Sequence, residues 1–270
     1  MKRLRSSASG WIVLVVLVLL WETATRLAGS LYFPPPTQIA ETARQMWFSG
    51  PASSLFLTDV VFEDVLASVA RMLGGWAIAG VLGVSIGVLL GRSATAMDYC
   101  GPIISFLRAI PPPTLVPVFL ALFTLGTPMQ LATIVFGTIW PILLNSVDGA
   151  RSVDATKTET ARAFRLSTMD WIFGVVLPAA SPKIFAGLRI SLSLSLVLMV
   201  ISELVGSTEG IGYRLLYSQR QYDFPAMWAS IVLLGVLGFL FNTGLSAVER
   251  RVLAWQPAHR QAAVAAGTGA

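Results

Sequence analysis

Met72-Leu73-Gly74-Gly75-Trp76-Ala77-Ile78-Ala79-Gly80-Val81-Leu82-Gly83-Val84-Ser85-Ile86-Gly87-Val88-Leu89-Leu90-Gly91 carries no charge and lies between Arg71 and Arg92. A helix rises about 1.5 Å per residue, so a run of this length spans the roughly 30 Å hydrocarbon core of a bilayer. Gly75, Ala79, Gly83, Gly87 and Gly91 recur at every fourth position. Small residues at that interval line one helix face and let a neighbouring helix approach closely. The stretch therefore predicts a transmembrane helix packed inside a bundle. Gly83-Val84-Ser85-Ile86-Gly87 also fits the GxSxG pattern of a hydrolase nucleophile. That motif needs a strand-to-helix turn and a histidine partner. An apolar helix offers no such turn, and the single histidine, His259, lies in a polar, Ala-rich tail.

Five further stretches have the same character: 10–28, 103–125, 131–149, 184–206 and 226–248. Six spans make this an all-α integral membrane protein. Composition agrees: 55% of residues are hydrophobic, 12% are charged and the mean hydropathy is +0.72. Soluble domains carry about 25% charged residues, and a disordered chain needs more charge and less apolar content. Lys2, Arg3 and Arg5 ahead of the run Trp11–Trp21 fit both a retained anchor and a cleaved signal peptide. The lone Cys100 excludes a disulfide within the chain and any CxxC metal or redox site.

The net charge of +5 does not indicate nucleic-acid binding, because no run of five Lys or Arg occurs and the basic residues lie mostly between spans. With both termini in the cytoplasm, Lys2, Arg3, Arg5, Arg92, Arg151, Lys157, Arg162, Arg165, Lys183, Arg250, Arg251 and Arg260 fall inside. Arg26, Arg44, Arg71, Arg214 and Arg220 fall outside, and Arg108 and Arg189 lie within spans. The positive-inside rule favours that orientation, which in a bacterial cell means a multi-pass inner-membrane protein in contact with lipid. Residues 29–64, outside, open with Tyr32-Phe33-Pro34-Pro35-Pro36, after which Thr37 is expected to cap a short helix to Phe48.

The third span is interrupted by Pro111, Pro112, Pro113 and Pro117. Each proline removes a backbone donor and clashes with the preceding turn, so the run cannot continue a regular helix. Irregular backbone at membrane depth survives where protein buries it or a water-filled cavity meets it. Arg108, Pro111, Asn145, Ser191, Ser195 and Glu203 are accordingly the candidates for a translocation pathway. A simple kink, with the serines bonded between helices, is the plain alternative. Glu203 is expected close enough to the outer end of its span to reach water.

Residues 150–183 form the most polar segment, on the cytoplasmic side. Asp154 is placed to cap a helix running to about Arg165. Ser167-Thr168-Met169-Asp170 has the form of a capping box opening a second helix, which Pro178 should stop. The first helix is short and charged, with Ala161 and Phe164 as its apolar side chains, so a partner surface explains it better than intrinsic stability does.

Glu159-Thr160-Ala161, Val176-Leu177-Pro178-Ala179-Ala180 and Gly187-Leu188-Arg189 resemble the EAA loop of ABC importer permeases. Pro34-Pro35-Pro36-Thr37, Ser68-Val69-Ala70-Arg71, Leu107-Arg108-Ala109-Ile110-Pro111-Pro112, Glu203-Leu204 with Gly210-Ile211-Gly212, and Glu249-Arg250-Arg251 resemble the nitrate/sulfonate/taurine branch. The resemblance implies a type I importer permease fold. Residues 1–64 would be an anchor span and extracytoplasmic segment, 65–250 the permease core with coupling loop 150–183, and 251–270 a cytoplasmic tail. It further implies that Glu159, Thr160, Ala161, Arg162, Phe164 and Arg165 dock one of two cytoplasmic ATPase subunits. A second permease copy, giving a homodimeric pore, or else a similar partner chain, and an extracytoplasmic solute-binding protein complete the expected assembly. The cargo would be a small solute such as nitrate, a sulfonate or taurine. The family usually has Ala in place of Thr160 and Gly in place of Arg165, and the second change removes the flexible turn between the loop helices. ATP would be bound by the partners, since this chain has no G-x4-G-K-[ST] motif and holds no cofactor of its own. A stand-alone secondary transporter is the alternative, but no internal repeat or carboxylate relay supports it. A membrane enzyme lacks a nucleophile–base pair.

Overall fold

The computed structural model describes residues 2–255, with side chains from Ile12 onward. The part of the expected tail beyond Trp255, including His259 and Arg260, lies outside the described residues, as do the side chains of Lys2, Arg3 and Arg5. Among the described residues the elements are helices throughout: α1 (Lys2–Ala28), α2 (Pro36–Phe48), then a π turn (Val61–Leu66) running into α3 (Ala67–Gly91). After α4 (Ala94–Ala109), a 3₁₀ turn (Pro112–Leu115) leads to α5 (Val116–Phe123) and α6 (Thr127–Arg151). Next come α7 (Ala155–Ala163), α8 (Thr168–Trp171), a second π turn (Ile172–Val176) and α9 (Leu177–Gly206), then α10 (Ile211–Arg220) and α11 (Phe224–Val252).

Four described stretches are long and apolar enough to cross a membrane: Val61–Gly91, Thr127–Arg151, Thr168–Gly206 and Phe224–Val252. They contain the expected spans 72–91, 131–149, 184–206 and 226–248. The expected span 103–125 is not one straight crossing, because α4 and Pro112–Phe123 meet at 83°. The prolines impose this bend, with Pro111 extended at φ −65° and ψ 123°. The remaining expected span, 10–28, falls in α1, where Ile12 through Leu20 are all exposed, as lipid-facing side chains would be.

The chain forms two compact units. Of the described residues, one comprises 2–67, 209–239 and 250–255. Ile39, Trp47 and Ala229 make its apolar centre, with Trp21, Val61 and Trp228 packed on it. The expected cap at Thr37 is replaced by the carboxylate of Glu22, which accepts from the Thr37 amide at 3.0 Å and from its hydroxyl at 2.8 Å. Pro35, not Thr37, precedes the first turn, so the cap comes from α1 and pins α2 to it. Hydrogen bonds from Arg44 and Gln45 hold the Glu41 carboxyl on α2 down at about 2. Asp64 in the first π turn accepts from Gly210 N at 2.7 Å and from Arg214 Nε at 2.8 Å, fixing the start of α10.

The other unit comprises residues 68–208 and 240–249. Here the small-residue face of α3 lies against α6. A Cβ on Gly75 would fall 2.7 Å from Ile134 Cγ2, and one on Gly87 would fall 2.5 Å from Leu143 O. Gly83 meets Ile142, Gly91 meets Val147 and Ala150, and Ala79 is fully buried. Helices α6 and α9 also pack closely, with Gly187 facing the Pro141 carbonyl and Asn145, and Gly149 facing Ala180.

Pro178 does not end the second loop helix as expected. Helix α8, the π turn and α9 form one unbroken stretch, Thr168–Gly206. The wider π turn ahead of the proline accommodates its missing donor and its ring.

Candidate functional site

In the second unit a cavity of about 570 Å³ opens where the proline break meets α6 and α9. Its size is that of a small-molecule site. Arg108, Pro112 and Pro113 come from the broken span, Trp140 and Asn145 from α6, and Leu194 and Leu198 from α9. Gly137 admits the break to α6, because a Cβ there would fall 3.0 Å from Pro112 Cγ. Among the described residues the cavity has no carboxylate in its lining, so its fixed charge is the Arg108 guanidinium. The amide Nδ2 of Asn145 donates to Pro141 O at 2.8 Å, which orients the side chain. The Trp140 indole N–H is buried with no hydrogen-bond partner.

Of the six pathway candidates, Arg108 and Asn145 line this cavity. Pro111 adjoins it through Pro112 but is not part of the lining. Ser191 and Ser195 are fully buried elsewhere. Ser191 Oγ accepts from Trp76 Nε1 at 2.9 Å and donates to Leu188 O, while Ser195 donates to Leu192 O at 2.8 Å. Both hydroxyls are thus engaged within the helix bundle and lie outside the cavity lining.

Glu203 does not reach water. It is 1% exposed, and its Oε1 accepts from Arg71 Nη2 at 3.0 Å and Ser68 Oγ at 2.6 Å. Arg71, read as an outer-loop residue, sits buried in α3 at 6% exposure. The pair ties α3 to α9. The sequence offers only that Arg71 and Glu203 lie at the predicted outer ends of their spans with opposite charge. Arg189 on α9 is likewise paired, with Glu249 on α11.

The polar loop 150–183 is built largely as its sequence suggests. Asp154 Oδ1 accepts from the Thr156 amide at 3.1 Å, and Ser167 Oγ accepts from the Asp170 amide at 3.2 Å. Helix α7 ends at Ala163, two residues earlier than expected. Arg165 does not abolish the turn. It takes the left-handed conformation itself, at φ 50°. The amide of Leu166 then donates to Ala161 O at 3.0 Å and that of Arg165 to Arg162 O at 3.0 Å. This is the Schellman closure that glycine usually provides. Ala161 is buried, whereas Glu159, Thr160, Arg162, Phe164 and Arg165 are exposed. Phe164, Met169 and Phe173 leave large apolar side chains uncovered around the helix.

The described residues thus combine long apolar helices, a span broken at its prolines and an exposed, capped loop. Residues 79–254 match the family described as binding-protein-dependent transport system inner membrane component. The chain belongs to that family, as an ABC importer permease of the nitrate/sulfonate/taurine branch and a multi-pass inner-membrane protein. It is 28% identical to the taurine transport system permease protein TauC of Escherichia coli, over 89% of this chain and 86% of that one. It is 32% identical to the bicarbonate transport system permease protein CmpB of Synechococcus elongatus, over 72% and 70%. Its fold matches a chain of the inward-facing MetNI methionine ABC transporter with a TM-score of 0.62 at 20% identity, covering 70% of this chain and 94% of that one.

Proposed function

We propose that this chain forms the translocation pathway for a small anion and couples it to ATP hydrolysis on cytoplasmic partner subunits. The exposed α7, capped by Asp154 and closed by the turn at Arg165 with apolar residues uncovered beside it, is the observation that carries the coupling. A solvated loop has no use for Phe164, Met169 and Phe173 in water, whereas a groove on an ATPase subunit would bury them. Glu159, Thr160, Arg162 and Arg165 supply the polar rim of that contact, and Ala161 anchors the helix on its own chain. The assembly is this chain with a second copy, two ATPase subunits and an extracytoplasmic solute-binding protein. Both termini lie in the cytoplasm, as the basic residues around the loop favour.

Arg108 and Asn145 border the path where the broken span meets α6. A single fixed cation in a largely apolar cavity attracts a small anion without holding it tightly. The relatives named for taurine and bicarbonate transport suit that reading. The test is uptake of labelled taurine, nitrate and bicarbonate by proteoliposomes holding the complex. Uptake should require both ATP and the binding protein. Accumulation without ATP would point instead to a stand-alone carrier.

A further inference from the structure

Helix α9 continues the coupling loop through its backbone, and α6 joins it through the short link from Arg151 to α7. Helix α3 has no chain connection to the loop and meets it through space. The meeting point is Arg92, the residue after the last turn of α3. Its guanidinium lies over the Trp171 ring of α8, 5.4 Å from the ring centroid. Its Nη1 also donates to Ala150 O at 3.4 Å, in the last turn of α6. Around these contacts Trp171, Ile172 and Val175 from the loop pack on a cluster of Val88, Ala150, Val153 and Val176. A cation at a helix C-terminus is favoured by the helix dipole and by carbonyls left without partners. Arginine also stacks on indole better than lysine does. One side chain therefore clamps the end of α3, the end of α6 and the second loop helix.

We infer that Arg92, stacked on Trp171 and bonded to the Ala150 carbonyl, is the positioning residue through which movement of the coupling loop reaches α3. The glycine face then carries that movement to α6. The inference rests on the reading that the loop docks an ATPase subunit. Without the clamp, a docked and hydrolysing ATPase should move α9 while α3 lags. The cost then appears in coupling rather than in assembly.

The experiment uses the complete complex in proteoliposomes, with Arg92→Ala, Arg92→Lys, Trp171→Leu, Trp171→Phe and the double variant Arg92→Ala/Trp171→Leu. Arg92→Ala and Trp171→Leu should retain the ATPase subunits and their basal hydrolysis, yet transport about three- to ten-fold less solute per ATP. Trp171→Phe should recover most of the loss and Arg92→Lys part of it. The double variant should be no worse than either single one, since both remove the same contact. Wild-type coupling in both single variants would overturn the clamp. So would loss of the ATPase subunits from them, because Arg92 would then merely hold the loop's fold. A wild-type chain that purifies without any ATPase subunit would instead remove the docking reading beneath it.

Discussion

Arg165 stands at a left-handed position, where a side chain bearing Cβ is strained by roughly 1–2 kcal/mol. Glycine would remove the strain but return part of the gain as unfolded-state entropy. Arg165→Gly should therefore stabilise the turn by about 0.5–1 kcal/mol, slowing exchange of the Leu166 amide by about two- to five-fold. Faster exchange would mean that contacts of the Arg165 side chain hold the turn instead. The buried pair of Arg71 and Glu203 makes a larger claim. Removing one member takes a hydrogen-bonded charge partner from a buried group, so Glu203→Ala should cost about 3 kcal/mol in stability. Arg71→Met/Glu203→Leu should recover most of that in thermal unfolding of the purified protein. A double variant as unstable as Glu203→Ala alone would contradict the pairing account. Neither residue was legible as a partner one at a time. Charge near the end of a span reads equally well as snorkelling, and only packing decides whether it meets water or its opposite.

At the scale of elements, the α3 face was readable because five small residues recur at one interval. The fit of α6 against α9 was not. Gly137, Gly149 and Gly187 follow no regular interval, and each answers a local feature: the proline break, Ala180, or the Pro141 carbonyl. Pro178 misled for a related reason. Whether proline ends a helix depends on the turn before it, and a π turn has no reliable signature in composition. The α3 face permits a paired test. Gly87→Leu should sharply reduce the yield of folded, monodisperse protein, since a Cβ alone would fall 2.5 Å from Leu143 O. Ser85→Leu, on the exposed side of the same helix, should leave the yield unchanged. Equal yields would mean that α3 is not packed on α6 in the membrane.

At the scale of the molecule, hydropathy and charge placement identified a multi-pass membrane protein, and the loop motif narrowed it to an importer permease. The cavity was only half legible. Arg108 and Asn145 line it, while Ser191, Ser195 and Glu203 are buried in hydrogen bonds outside it, because a polar residue in a span can serve packing as readily as passage. If Arg108 supplies the field for an anion, Arg108→Glu should lower uptake about ten-fold or more while the ATPase subunits stay bound. Undiminished uptake would remove Arg108 from the path. The central claim, that this chain is driven by ATP hydrolysed on a partner docked at α7, is tested most directly by purifying the tagged chain from its native membrane in mild detergent beside Glu159→Lys. Wild type should bring down an ATPase subunit that the variant loses while still inserting normally. Wild type recovered alone, with the ATPase demonstrably expressed, would contradict the account.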